Sequence, residues 1–238
     1  MKKMTKFFAL ALLAGAMVSC STEDTAPSVQ NDKVAVQFTG GISVNTRAAG
    51  VAWADGDKIG IFMTGANQTL SADAIQEGVD NVCYQSNGSI AFSPISGGKT
   101  IFFPIDGDVD FYSYYPQTTV NDYKVALDLT DQGKQETIDF MYAKTEGCNK
   151  ATPQVDLKFF HKLSNLILDV QPGNGLTQED LKNMIVTVKG QNTKATFNLV
   201  DGTISGEETP ADIKMKTTEA GKLYEAILLP TEEASRVI

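Results

Sequence analysis

Short alternating runs closed by turn residues constrain this chain more than anything else in it. Lys33-Val-Ala-Val-Gln-Phe-Thr39 alternates apolar and polar side chains, and Ile42-Ser-Val44 continues it after Gly40-Gly41. That pattern is a half-buried strand with a kink or bulge at the glycines. Further candidates follow about every ten residues: Lys58–Met63, Val79–Gln85, Ser89–Phe92, Thr100–Phe103, Val109–Tyr115, Tyr123–Leu129 and Ile138–Tyr142. Asp55-Gly56 supplies the positive φ that a tight reversal needs, and Asn87-Gly88, Gly97-Gly98, Asp106-Gly107 and Gln132-Gly133 punctuate the later strands. Strands this short and this regularly spaced predict an all-β sandwich or barrel, not a βαβ sheet.

The second half reads the same way. Leu157–Val170 has a mixed period and reads as strand with a break near His161–Asn165, ended by the turn at Pro172-Gly173. Ser71–Gln76 makes at most one or two helical turns, and Thr177–Asp180 resembles a capping box opening a short helix to about Met184. Ile185–Val188, Ala195–Val200, Ile213–Lys216 and Leu223–Leu229 are strands, with Asp201-Gly202 the clearest hairpin turn. Lys144–Pro153 is polar and lacks strand character, so a domain boundary is placed there. The resulting division is 1–19 leader, 20–47 tether and strand, 48–150 first β domain, 151–238 second β domain.

The leader is explicit. Lysines at positions 2, 3 and 6 precede the apolar run Phe7–Val18, which ends at Ser19-Cys20. A positive start, a short apolar core and small residues at the end make an export signal. The run is too short to cross a bilayer, which takes roughly 20 residues. Cys20 resembles the acylated cysteine of a bacterial lipobox, with Met17 where Leu is commoner. The polar Ser21–Ser28 behind it reads as the tether of a lipid-anchored domain.

Composition excludes several function classes. Net charge is -9, and -12 once the leader lysines are gone, with no basic cluster to hold phosphates, so nucleic acid is not a partner. One histidine, His161, rules out most catalytic and metal schemes. Cys83 and Cys148 lie in unrelated contexts and either pair or stay free, and no CxxC is present. Asp106, Asp108 and Asp110 mimic the start of an EF-hand loop, but Phe111 stands where glycine is required and Gln117 where the closing glutamate belongs, which leaves a solvated turn. His161, in an apolar strand, reads as a buried hydrogen-bonded histidine. Trp53, Phe111, Tyr112, Tyr114 and Tyr115 could form a sugar-stacking face, but core packing explains them better. No catalytic, cofactor or metal residue is assigned, and the expectation is a non-enzyme.

Six segments in order carry a family resemblance. They are Trp53–Met63, Asp110–Pro116, Asp139–Ala143, Phe159–Leu166, Ala195–Thr203 and Tyr224–Pro230. Together, behind a lipoprotein leader, they resemble the fimbrillin family of surface-fimbria subunits from anaerobic Gram-negative bacteria. The resemblance implies two transthyretin-like antiparallel β-sandwich domains, the second short of strands where the sequence stops. It also gives meaning to Arg47, one of only two arginines, in Asn45-Thr-Arg-Ala-Ala-Gly50. In this family a trypsin-like, Arg-specific protease cuts after such an arginine, here between Arg47 and Ala48.

That cut would detach the lipid together with the strand carrying Val34, Val36, Phe38, Ile42 and Val44. The edge left behind could take a strand from a neighbouring subunit, head to tail. The implied partners are other fimbrial subunits, the outer membrane through a lipid on Cys20, the protease, and host or bacterial surface ligands. The implied location is the outer membrane and cell surface, then the fimbrium. The alternative is a permanently anchored surface lipoprotein acting as fimbrial anchor, adhesin or glycan-binding module.

Overall fold

The computed structural model describes residues 33–43 and 52–230. The strands are β1 (Gln37–Ser43), β2 (Asp55–Gly65), β3 (Val82–Asn87), β4 (Ala91–Pro94), β5 (Val109–Tyr115), β6 (Lys124–Asp128), β7 (Met141–Cys148) and β8 (Gln154–His161). They continue as β9 (Ser164–Asp169), β10 (Thr187–Asn198), β11 (Thr203–Lys214), β12 (Lys216–Glu219) and β13 (Leu223–Leu228). Helical structure among the described residues is limited to three short 3-10 turns, at Ala72–Ala74, Gln135–Thr137 and Glu179–Leu181. The all-β expectation holds.

The arrangement is a closed seven-stranded barrel in the order β1-β4-β3-β2-β5-β7-β8, with two three-stranded sheets, β11-β10-β6 and β12-β13-β9. Where the resemblance implies two transthyretin-like sandwiches, the strand pairing gives one barrel and two small sheets. Residue 150 falls between β7 and β8, which pair with each other in the barrel, while β6 crosses to pair with β10. All barrel pairings are antiparallel except β1 with β8, which is parallel over Gln37–Ser43 and Gln154–Phe160.

β5 explains how the layers join. Val-Asp-Phe-Tyr-Ser-Tyr-Tyr is buried at every position. Val109, Phe111 and Tyr115 fill the barrel interior. Tyr112 and Tyr114 point to the other face and pack with Phe62, Phe140, Val125, Leu127 and Phe197 in a second core. A strand covered on both faces loses its polar alternation, and here large aromatic rings point to both sides. A smaller third core gathers Ile213, Met215, Tyr224 and Ala226.

Several sequence expectations are corrected. β7 runs on through the polar Lys144–Cys148, where β5 supplies its partner residues. Thr100–Phe103 forms no strand, only an isolated bridge from Phe102 to Ala35. The capping-box segment makes a single 3-10 turn. β1 passes through Gly40-Gly41 without interruption.

Gly60 shows how tightly β2 and β5 meet. A Cβ there would lie 2.3 Å from the Tyr114 ring and 2.5 Å from Asn81 Oδ1. The Tyr114 hydroxyl is held in turn by Asn81 Oδ1 at 2.8 Å and by the Thr118 carbonyl at 2.7 Å. The ring has nowhere to retreat, so Gly60→Ala should destabilise the protein by about 2–3 kcal/mol through overpacking. Equilibrium urea unfolding with an unchanged m-value measures it.

Candidate functional site

Cys20, Arg47, Ala48 and Val44 lie outside the described residues. The rest of the expected removable strand is on or beside β1. Phe38 is 2% exposed and Val36 6%, while Val34 and Ile42 are half-buried against the same core. Their spacing of two places all four toward the barrel interior.

β1 closes the barrel. One edge pairs with β8 over seven residues, and the other meets β4 only at Phe38 opposite Phe92 and Thr39 opposite Ala91. Backbone bonds extend the grip beyond the strand: Val36 N–H donates to the Ile101 carbonyl at 3.0 Å, and Phe103 N–H donates to the Val34 carbonyl at 2.9 Å. Gly40 N–H reaches the Ile90 carbonyl at 2.7 Å. The Thr39 hydroxyl donates to the Asp156 carboxylate on β8, which together with Gln154 holds that carboxyl below its usual range.

The interior face of β1 is an aromatic socket. The Phe38 ring meets Tyr84 edge-on at 5.3 Å and Phe111 at 5.1 Å between centroids. The Tyr84 hydroxyl accepts the Ile101 amide at 2.8 Å, and burial pushes its pKa up. Trp53 stands edge-on to Phe92, Tyr115 and Phe159 and donates its indole N–H to the Gly40 carbonyl at 2.7 Å. Gly40 is glycine for a steric reason: a Cβ there would meet the Phe92 ring at 2.7 Å.

The other residues singled out by sequence fall into place around this socket. Trp53, Phe111, Tyr112, Tyr114 and Tyr115 are all buried, so they are core, not an exposed stacking face. His161 is half-buried at the end of β8, its Nδ1 2.8 Å from Asp139 Oδ1. Asp110 is not in a solvated turn. It is 1% exposed, and its two oxygens accept the backbone amides of Asn67 at 2.8 Å and Gly147 at 2.9 Å. Cys83 and Cys148 are free thiols, and burial pushes Cys148 up to about 11.

Sequence reading missed the two neighbours that define the slot, β8 and β4. Nothing local announces a parallel partner more than a hundred residues away. The only available signal was the clean alternation Gln-Val-Asp-Leu-Lys-Phe in β8, which matches β1 in length and phase.

Residues 46–238 match the Fimbrillin-like family. A candidate fimbrium subunit of Bacteroides uniformis, Fim1C, is 35% identical over 232 residues, covering 92% of this chain and 73% of that protein. The crystal structure of a candidate cell adhesion protein from Bacteroides uniformis superposes with a TM-score of 0.70 at 35% identity, covering 83% of this chain and 76% of its own. One from Bacteroides ovatus gives 0.64 at 26% identity, covering 83% and 78%. The chain belongs to the fimbrillin-like family.

Proposed function

We propose that this chain is a non-enzymatic structural subunit of cell-surface fimbriae. It is exported as a lipoprotein through Cys20, released by an Arg-specific protease at Arg47–Ala48, and assembled by addition of a neighbour's strand where β1 now lies. The observation that carries the reading is the position of β1. The strand just ahead of Arg47 is the one that joins β4 to β8 and closes the barrel. The family match supports it, since it begins at residue 46 and leaves β1 outside the matched region.

Loss of β1 opens the barrel and bares two edges, β4 and β8, with the Phe38 and Val36 sockets between them. Apolar side chains of that kind contribute roughly 1.5–3 kcal/mol each when buried, and open backbone edges recruit another strand. A β1 still resident keeps both closed, so assembly waits for processing. The contact is head-to-tail and extends a fibre instead of closing a dimer.

Treating the lipoprotein with an Arg-specific protease should produce a ladder of SDS-resistant multimers, while Arg47→Ala should remain a single membrane-bound species. A cut chain that stays monomeric overturns strand addition. Multimers forming equally from Arg47→Ala overturn the processing step and leave a permanently anchored lipoprotein.

A further inference from the structure

Beside the barrel mouth lies a cavity of about 300 Å³, lined by Ile42, Trp53, Tyr115, Met141 and Ile227 on its apolar side. Its polar side is Asp57, Gln135, Glu136, Asp139, His161 and Asn165. That volume is at the lower end of the range for small-molecule sites.

Five buried side-chain polar atoms among the described residues lack a hydrogen-bond partner. Three of them, Gln135 Nε2, His161 Nε2 and Asn165 Oδ1, belong to residues lining this one cavity. Leaving such an atom unpaired is unfavourable, so their gathering marks a place where a polar guest is expected.

The lining also fixes the guest's charge. Asp57, Glu136 and Asp139 contribute three carboxylates, and no lysine or arginine is among the described lining residues. The field is felt locally: after burial, those same three acids are what push the Tyr115 hydroxyl up. Asp57 is already engaged by the Ala54 amide at 2.7 Å and the Tyr115 hydroxyl at 3.1 Å. Asp139 Oδ1 is 2.8 Å from His161 Nδ1. In the neutral ring, with Nδ1–H donating to Asp139, His161 Nε2 is an acceptor, as is Asn165 Oδ1, and a half-turn of the Gln135 amide presents its oxygen too. Acceptors and carboxylates beside the rings of Trp53 and Tyr115 suit a donor-only cation on an apolar stem.

We propose that this cavity binds a primary ammonium group carried on a short alkyl stem, the ammonium at Asp139, Glu136, His161 and Asn165 and the stem along Trp53, Tyr115 and Met141. Ile42 of β1 lines the cavity and the Gly40 carbonyl holds the Trp53 indole, so the site belongs to the uncut chain.

Trp53 is the single tryptophan of the chain, so its fluorescence reports directly on occupancy. Titrating the full chain with 1-aminopentane should give a saturable change, whereas 1-pentanol, of equal length but uncharged, should bind at least tenfold more weakly. Raising salt should weaken the amine alone. Glu136→Gln, at an exposed position where folding is safe, and Asp139→Asn, which still accepts from His161, should each lower amine affinity several-fold and together about tenfold. Equal binding of amine and alcohol, no saturation by the amine, or unchanged affinity in both variants overturns the proposal.

Discussion

Phe38→Ala is expected to lower the unfolding free energy of the uncut chain by about 3–5 kcal/mol, the range for emptying a fully buried aromatic site. The ring is 2% exposed and touches Tyr84 and Phe111 edge-on, so its loss removes apolar burial and two aromatic contacts together. The cavity cannot collapse easily, because Tyr84 is fixed through its hydroxyl to the Ile101 amide. For a domain of this size each kcal/mol lowers the midpoint by about 2–4 °C, so calorimetry should show a fall of roughly 6–20 °C. The substitution also weakens the grip of the barrel on its own strand. In the proposed assembly, a cut Phe38→Ala chain should therefore give up β1 faster and form multimers sooner than the cut wild type. Ile42→Ala, at a half-buried position, should do less of both. A loss below about 1 kcal/mol for Phe38→Ala, or slower multimerisation after cutting, refutes this account of the socket.

The strand cadence was legible because each barrel strand with one face to solvent keeps its period of two. β8, with Val155, Leu157 and Phe159 inward and exposed Asp156 and Lys158 between them, is the plainest case. β10 and β11 were underestimated for the opposite reason. Their middle stretches, Lys189–Lys194 and Ser205–Pro210, are mostly polar and carry register shifts between two apolar ends, so backbone pairing holds them without an apolar signature. The apolar positions of β1 were readable one by one, but not that its longest pairing is parallel and distant, since register with β8 is a property of the closed barrel. The acidic cavity was invisible in sequence: Trp53, Asp139 and the pair His161 and Asn165 come from three separate segments, and only folding brings them together around it.

Asp110→Ala tests a different hold, and the largest effect expected outside the socket. Each oxygen of this buried carboxylate accepts one backbone amide, Asn67 from the loop after β2 and Gly147 from the end of β7. Both amides belong to residues with positive φ, 61° at Asn67 and 69° at Gly147, so the carboxylate fastens two loops in a conformation that little else imposes. Alanine leaves both donors without that acceptor, and at about 1–3 kcal/mol for each buried unsatisfied group the loss should be about 3 kcal/mol. Asn keeps one acceptor oxygen and the shape while giving up the charge-assisted bonds, so Asp110→Asn should lose about half as much. Amide hydrogen exchange distinguishes this from general weakening, because protection at Asn67 and Gly147 should fall well before that of β5 itself. An Asn variant as damaged as Ala, or exchange that rises uniformly, contradicts the two-amide clamp. The same geometry accounts for the failure of the EF-hand likeness: the one carboxylate of the triplet that is buried already spends its oxygens on backbone amides, and Asp108 is tied to Asn149 at 3.0 Å.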